Sequence, residues 1–131
     1  MMKVKVITPM GLYGQFEVSK IHTTTALGEC AILPNHMPVV ATIRTSRLLM
    51  TIDGKEEVFA IANGLLQMRN NEVRILADAF EGKAEIDLQR AIRAKERAER
   101  RLAKKDANTS IRRAEVALER ALNRISIASN Q

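Results

Sequence analysis

The chain has 131 residues, 46% of them apolar, and a formal net charge of +6 at pH 7. This length supports one real hydrophobic core and is small for two, so we expect one compact domain with at most an appendage. No apolar run approaches the ~20 residues of a transmembrane helix, and Cys30 has no second cysteine for a disulfide bond. A strand-like alternation begins at once, where a secretory leader would be apolar, so we expect a soluble protein of a reducing, cytoplasmic compartment.

The first eighty residues have the periodicity of short β-strands. KVKVIT alternates polar and apolar residues, as does EVSKIHTT, and five more such segments follow closely: PVVATI, RLLMTID, EEVFAIA, GLLQMR and EVRILAD. Asp53-Gly54 and Asn70-Asn71 suit tight hairpins, and Asn63-Gly64 offers a positive φ or a bulge. The sequence predicts an antiparallel β-sandwich, connected as a meander, with an aliphatic core.

The composition changes near Glu81 and Gly82. All three prolines and all glycines lie at or before Gly82, and Ala, Arg, Glu and Leu dominate after it. Residues 81–131 carry 13 basic and 8 acidic side chains, whereas residues 1–80 carry 8 and 7. We therefore expect a β-sandwich domain over residues 1–82 and a helical domain over residues 83–131.

The helical domain has the pattern of an antiparallel two-helix hairpin, which makes the fold class α+β. Apolar residues recur at spacings of three and four in its second half, with a thinner stripe in its first half: Ile111, Ala114, Leu118, Ala121, Ile125 and Ala128, and Ala91, Ala94, Ala98 and Leu102. KKDANTS interrupts the pattern and offers N-cap oxygens at Asn108, Thr109 and Ser110. Because each buried methylene contributes only ~0.8 kcal/mol, this alanine-rich seam is weak, and the hairpin should need a surface from which it can also detach.

The segment GECAILPNHMP places Cys30 near His36, yet it does not have the spacing of a metal or thiol site. There is no second cysteine, His22 lies in a strand-like run, and Pro34 and Pro38 stiffen the turn. No phosphate-binding glycine loop and no serine, histidine and acid set stands out. We predict a structural loop here, no metal site, no catalytic residue and no enzyme activity.

The basic residues of the hairpin allow three interpretations. A solvated surface is one, since pairs such as Glu96 and Arg100 stabilise a helix by ~0.2–0.5 kcal/mol. A nucleic-acid-binding surface is the second, although acidic residues interrupt the positive stripe that it needs. An anionic ligand or an acidic protein groove is the third, because arginines recur on one side of each helix: Arg90, Arg93 and Arg97, and Arg113, Arg120 and Arg124.

Three segments, GECAILPNHMPVVATI, ILAD and EIDLQRAIRAKERAERRL, make the chain resemble the epsilon subunits of bacterial F-type ATP synthases over essentially its full length. The family signature G-E-x-G-I-L-P-x-H-x-P is matched at Gly28, Glu29, Ile32, Leu33, Pro34, His36 and Pro38. Ala31 replaces the usual glycine of that signature. Asn63 stands where family members usually carry the first of two glycines, and Thr45-Ser46 replaces a common Pro-Gly turn. These differences affect turn geometry.

The resemblance implies a non-catalytic subunit of a rotary stalk. The sandwich would bind the gamma subunit and touch the ring of c subunits, with the loop around His36 as a candidate contact. The hairpin would be a brake that permits turnover when folded on the sandwich. Extended along gamma, it would enter the head of alpha and beta subunits and block ATP hydrolysis, with Arg112, Arg113 and Arg120 as expected beta contacts. The isolated chain would be a monomer that binds no nucleic acid and reaches the cytoplasmic face of the plasma membrane only through the complex.

The resemblance also implies a regulatory ATP site, with or without Mg, and no required cofactor. Its I/L-D-x-x-R-A motif is complete, and four more residues would finish the pocket: Ile86, Asp87, Arg90 and Ala91, with Glu81, Arg97, Arg120 and Arg124. The arginines would take the phosphates, and Asp87 or the nearby backbone would read the adenine edge. Two alternatives stay open, namely that Asp87 is only an N-cap beside a surface arginine, and that the whole chain is a free nucleic-acid-binding protein.

Overall fold

The computed structural model describes residues 1–104 and 110–129, which form eight strands followed by two helices. The strands are β1 (Met2–Thr8), β2 (Gly11–Val18), β3 (Lys20–Thr25), β4 (Gly28–Ile32), β5 (Val39–Ile43), β6 (Ser46–Ile52), β7 (Lys55–Arg69) and β8 (Glu72–Gly82). A short 3-10 turn (Lys83–Glu85) precedes α1 (Leu88–Lys104) and α2 (Ile111–Ser129). The chain divides into two compact units, Met1–Gly82 and Lys83–Gln131.

The strands form the predicted β-sandwich, in the order β2-β1-β8-β7-β5-β3-β4, with β6 pairing to β3 and β7. The pairs are antiparallel except that β1 runs parallel to β8, with Lys3 opposite Glu72. The predicted meander is therefore confirmed for β6, β7 and β8 and wrong for the sheet as a whole. Period-two alternation specifies the face of the sheet on which a side chain lies, but it does not specify which strand lies alongside. The pairing of the first strand with the last could therefore not be inferred from it.

Strand β7 joins two of the predicted strands into one. Its first half pairs with β6 and its second half with β5, and Asn63, with a φ of 42°, lies at the change of partner. A Cβ on the next residue, Gly64, would lie 3.0 Å from the Leu76 carbonyl oxygen and 3.0 Å from the Ile61 Cδ1. The Asn63-Gly64 pair therefore lies within a strand, where Asn63 has a positive φ and Gly64 allows another backbone to approach closely.

Both predicted hairpin turns are confirmed. Asp53 and Gly54, between β6 and β7, have φ values of 50° and 76°. Asn70 and Asn71, between β7 and β8, have values of 52° and 61°. Positive φ at both central residues is the requirement of the type I′ turn, which Asn, Asp and Gly meet with the least strain.

The segment GECAILPNHMP is only partly the loop that the sequence predicted. Gly28–Ile32 forms β4 and pairs antiparallel with β3, so that Cys30 lies opposite Thr23. Residues 33–38 form the loop. The five-residue strand was missed because a glycine opens it and two prolines follow shortly after, which are the residue types of a loop.

The core of the sandwich is largely aliphatic, as predicted. The largest fully buried side chains of this unit are Met2, Ile21, Ile32, Ile43, Leu48, Met50, Ile61, Leu66, Met68 and Ile75. The four aromatic residues of the chain form one cluster, in which Phe80 lies 4.9 Å from both Tyr13 and Phe59, and Phe16 lies 5.9 Å from Phe59, between ring centroids. The aromatic rings therefore serve packing.

The predicted hairpin is confirmed: α1 and α2 pack along each other, and the short connection makes them antiparallel. Small residues fill the contact, since the buried side chains are Ala91 and Ala98 of α1 with Ala114, Ala121 and Ile127 of α2. Ile127 was not on the predicted seam, whereas Ile111, which was, is exposed. Helix α2 begins after Ser110, whose Oγ accepts a hydrogen bond from the Arg113 amide at 3.3 Å. Asn108 and Thr109, the other two predicted caps, lie outside the described residues.

Candidate functional site

A basic groove of about 410 Å³ runs along α2 and includes one residue of α1. Arg113, Ala117, Arg120 and Arg124 succeed one another at spacings of four, three and four, which places them on one stripe of the helix. The full lining is Ala94, Arg112, Arg113, Val116, Ala117, Arg120, Ala121 and Arg124. The fold therefore collects four arginines that the sequence had singled out, over a floor of alanine and valine.

The arginines differ in exposure. Arg112 and Arg113, in the first turn of α2, are exposed, whereas Arg120 and Arg124 are half-buried and the Nε of Arg120 is inaccessible to solvent. Guanidinium groups bind phosphates and carboxylates through paired N–H donors, and they bind more strongly where water is partly excluded. The inner end of the groove, at Arg120 and Arg124, is therefore the stronger candidate for an anionic group.

Helix α1 contributes to the groove through Ala94. Arg90 and Arg97 do not line it, but they stand four residues before and three residues after Ala94, on the same stripe of α1, and both are exposed. Ala91 is buried and packs the helices together. Helix periodicity thus puts Arg90 and Arg97 about one turn before and after Ala94 along α1, and burial makes Ala91 a packing residue.

Asp87 caps α1. Its Oδ1 accepts a hydrogen bond from the Arg90 amide at 3.1 Å, and its carbonyl oxygen accepts one from the Ala91 amide at 3.0 Å. An N-cap carboxylate satisfies an amide that has no partner within the helix. Ile86 is half-buried, and its amide donates to the Lys83 carbonyl at 3.4 Å. Glu81, the remaining residue predicted for the ATP site, belongs to β8 in the sandwich unit.

The loop that carries His36 is held by a pair of asparagines. The Asn71 Oδ1 accepts a hydrogen bond from the Asn35 amide at 2.6 Å, and the Asn71 Nδ2 donates to the Asn35 Oδ1 at 2.9 Å. Both residues have positive φ. The His36 Nδ1 lies 2.8 Å from the Met37 carbonyl oxygen and donates to it, because a carbonyl can only accept. His36 and Asn71 thus shape a loop that presents Met37, 75% exposed, to solvent.

Cys30 and His36 do not form a metal site in this structure. Cys30 is half-buried in the β3–β4 ladder, and His36 lies in the following loop. Across residues 1–104 and 110–129, no group of three or more His, Cys, Asp or Glu side chains is arranged to hold a metal ion.

The outer face of the sheet formed by β2, β1, β8, β7 and β5 carries a surface that the sequence analysis missed. The outward positions of β1 read Lys3, Lys5 and Ile7, and those of β8 read Glu72, Arg74, Leu76 and Asp78. Ile7 and Leu76 are cross-strand partners, and pairing with the neighbouring strands extends them into what we term the outer row: Leu12, Ile7, Leu76, Leu65 and Thr42. Leu12 is 56% and Leu76 38% exposed. The available signal was an apolar residue at an outward position of each strand, after two charged ones: Ile7 in KVKVIT and Leu76 in EVRILAD.

Neither helix meets the length and hydropathy of a membrane span, within the parts of the chain that the structure describes.

A β-sandwich with an apolar outer row, joined to a helical hairpin with a basic groove, defines a two-domain protein suited to binding partners. Family models identify both parts. The model for the ATP synthase delta/epsilon chain beta-sandwich domain matches residues 1–83, and that for the delta/epsilon chain long alpha-helix domain matches residues 84–129. The chain belongs to the delta/epsilon family of ATP synthase chains, which is the family that the signature around His36 indicated.

Bacterial ATP synthase epsilon chains are similar to this chain over nearly its whole length. The epsilon chain of Bacillus velezensis is 41% identical over 128 residues, which cover 98% of this chain and 97% of the relative. That of Clostridium kluyveri is 42% identical over 127 residues, 96% of each chain. That of Caldicellulosiruptor bescii is 43% identical over 126 residues, 96% of this chain and 92% of the relative. This assignment favours the ATP synthase interpretation over a free nucleic-acid-binding protein.

Solved structures share the fold. A chain in the cryo-EM structure of the Euglena gracilis mitochondrial ATP synthase, which contains OSCP, F1 and the c-ring, superposes with a TM-score of 0.76 at 23% identity, covering 90% of this chain and 75% of that one. A chain in the central stalk and c-ring structure of the Tetrahymena thermophila mitochondrial ATP synthase gives a TM-score of 0.55 at 17% identity, covering 65% and 69%.

Proposed function

We propose that this chain is a central-stalk subunit of a bacterial F-type ATP synthase that couples rotation of the catalytic head to the c-ring, and that it restrains ATP hydrolysis through its hairpin. We further propose that the hairpin binds ATP while its two helices are packed together. The observation that carries this proposal is the convergence of Arg112, Arg113, Arg120 and Arg124 on one groove of α2.

The inner end of the groove suits a triphosphate. Arg120 and Arg124 line this end in a half-buried setting, and a guanidinium group can bind a phosphate through two N–H donors. The floor of the groove consists of small alanine side chains. Each such charge-assisted contact contributes about 1.5–3 kcal/mol. Arg90 and Arg97 flank the wall at Ala94, from which their long side chains can approach the same phosphates. A site built from both helices holds ATP only while they are packed, so ATP stabilises that state.

The outer end of the groove suits an acidic protein surface. Arg112 and Arg113 are exposed at the start of α2, where a crevice of the catalytic head would present carboxylates of the beta subunit to an extended hairpin. Arg120 takes part in both contacts. ATP and the beta subunit therefore compete for one arginine, and ATP releases the brake in proportion to its differential affinity for the packed hairpin.

The sandwich supplies the permanent contacts in this proposal. Gamma docks on the outer row, and the loop of residues 33–38 meets the c-ring with His36 and Met37. The chain is held at the cytoplasmic face of the membrane by these subunits. It performs no catalysis itself and needs no cofactor other than the regulatory nucleotide, with or without Mg.

Calorimetric titration of the isolated chain tests the ATP site. We expect ATP to bind more tightly than ADP, and Arg124→Ala or Arg90→Ala to weaken ATP binding by about 10–150-fold, the loss that one charge-assisted contact represents. Arg101→Ala is the matched control, because Arg101 is an exposed arginine of α1 that does not line the groove. The absence of heat at millimolar Mg-ATP, or equal losses in all three variants, would refute the site.

Hydrolysis by a reconstituted head of alpha, beta and gamma subunits tests the brake. The variant Arg112→Ala/Arg113→Ala/Arg120→Ala should inhibit less than the wild type while keeping its helical circular dichroism. A control variant with alanine at Arg93, Arg100 and Arg101 removes the same charge from exposed positions outside the groove. If both variants inhibit like the wild type, the arginines of α2 do not hold the brake.

A further inference from the structure

The outward positions next to the outer row carry charges in an uneven arrangement. Four residues before the outer row along β1 and β8, the charges of cross-strand neighbours alternate in sign, in the order Glu17, Lys3, Glu72 and Arg69. Between this balanced line and the outer row lies a second line without an acid: Gln15, Lys5, Arg74 and Gln67. Lys5 and Arg74 are direct cross-strand neighbours in the parallel β1–β8 pair.

Like charges directly opposite each other on a sheet destabilise it. Lys5 and Arg74 are exposed and, within residues 1–104 and 110–129, neither side chain makes a hydrogen bond or an ion pair. On the next line of the same face, Lys3 has acidic cross-strand neighbours on both sides, Glu17 and Glu72. Lys5 and Arg74 therefore place two positive charges side by side on one line of this face, without an acidic cross-strand neighbour.

The pair is placed for contact with a docked protein. It lines a concave surface of about 850 Å³ whose charged lining is Lys3, Lys5, Arg69 and Arg74 against Glu17 and Glu72, so that basic side chains are in excess. The pair also adjoins Ile7 and Leu76 of the outer row, two residues farther along the same strands. Protein interfaces combine an apolar centre with a polar rim, and rim charges govern the association rate and its salt dependence. A carboxylate seated between Lys5 and Arg74 would be flanked by the amides of Gln15 and Gln67.

We propose that Lys5 and Arg74 form an anion-recognition pair that receives an acidic side chain of the protein docked on the outer row. This inference rests on the proposed function, in which the docked protein is the gamma subunit. The new element is that gamma presents a carboxylate at the rim of its apolar contact with the outer row. The pair selects the partner and speeds association, while the outer row supplies the lasting contact.

Association of the full-length chain with its cognate gamma subunit, measured by surface plasmon resonance at several salt concentrations, tests the pair. Lys5→Glu/Arg74→Glu should weaken binding at least about 10-fold, mainly through a slower association rate, because it sets like charges against each other. Lys5→Gln/Arg74→Gln should flatten the salt dependence. Lys20→Glu/Lys55→Glu is the matched control, since it makes the same change of charge at exposed positions outside this surface, and it should bind normally.

A fourth variant, Leu76→Glu, separates this inference from the proposed function on which it rests. Loss of binding by Leu76→Glu with normal binding by Lys5→Glu/Arg74→Glu would leave gamma on the outer row and overturn the anion pair alone. Failure of the wild-type chain to bind gamma would overturn the proposed function and the pair with it. Normal gamma binding by the double variant, combined with loss of retention on phosphatidylglycerol vesicles, would assign the pair to a lipid surface and also overturn it. Unchanged thermal melting shows that each variant is folded.

Discussion

Asp87 caps α1 and is also proposed to take part in the ATP site, and a pair of substitutions can separate the two roles. Its Oδ1 caps α1 through the Arg90 amide, and the I/L-D-x-x-R-A motif also gives it a place in the proposed ATP site. Asn caps a helix about as well as Asp but carries no charge. The two substitutions Asp87→Ala and Asp87→Asn therefore distinguish the cap from the carboxylate.

We expect Asp87→Ala to lower the free energy of unfolding of the hairpin by about 0.5–2 kcal/mol, the usual loss of an N-cap. Asp87→Asn should keep this stability. Thermal unfolding followed by circular dichroism at 222 nm measures the stability of both variants. Calorimetric titration measures whether the Asp87→Asn variant still binds ATP. If the Asn variant binds ATP as the wild type does, the carboxylate is a cap and takes no part in reading the nucleotide.

The hairpin owes its close helix contact to alanine. Ala98 and Ala114 are each 1% exposed, and side chains of this size let two helices approach closely while burying little apolar area. Such a contact is specific in shape and weak in energy. This combination suits an element that is proposed to exchange one set of neighbours for another.

Enlarging one of these alanines should separate the helices. Leu and Ala have similar helix propensities, so the effect of Ala98→Leu should come from overpacking, which typically costs about 1–3 kcal/mol. Ala103→Leu is the control, because Ala103 is an exposed residue of the same helix. Urea unfolding monitored at 222 nm should show destabilisation by the first substitution alone. Equal stability of the two variants would mean that the helix contact tolerates a larger residue.

At the scale of the whole molecule, the sandwich contains its own core. Every member of the buried hydrophobic cluster lies between Met2 and Phe80, and the aromatic cluster lies within the same range. The hairpin is a separate compact unit. The two units can therefore be tested apart.

Removal of residues 85–131 should leave a folded sandwich that binds gamma within about twofold of the wild-type affinity, a change of roughly 0.4 kcal/mol. It should also raise ATP hydrolysis by the reconstituted head, because the proposed brake is gone. Copurification with gamma and a coupled ATPase assay measure the two results. A truncated chain that is folded but does not bind gamma would contradict the division of labour between the units.

Local rules explain the features that were predictable from the sequence. Alternation over KVKVIT and EVRILAD fixed the buried faces of β1 and β8, and Asp53-Gly54 and Asn70-Asn71 fixed two turns through their tolerance of positive φ. The alanine seam and the cap at Ser110 indicated the hairpin. These signals operate within a few residues of chain, so they are visible without the fold.

The remaining features depend on contacts between distant segments, and only the tertiary structure decided them. The parallel pairing of β1 with β8 brings Lys5 beside Arg74 and aligns Ile7 with Leu76, although nothing local in either strand specifies its partner. Strand β4 exists because β3 offers it a ladder. The sequence by itself marked the arginines of α2 as one stripe, but the packing of α1 against α2 determined that Ala94 completes their groove, because a site shared by two helices is set by where the helices meet.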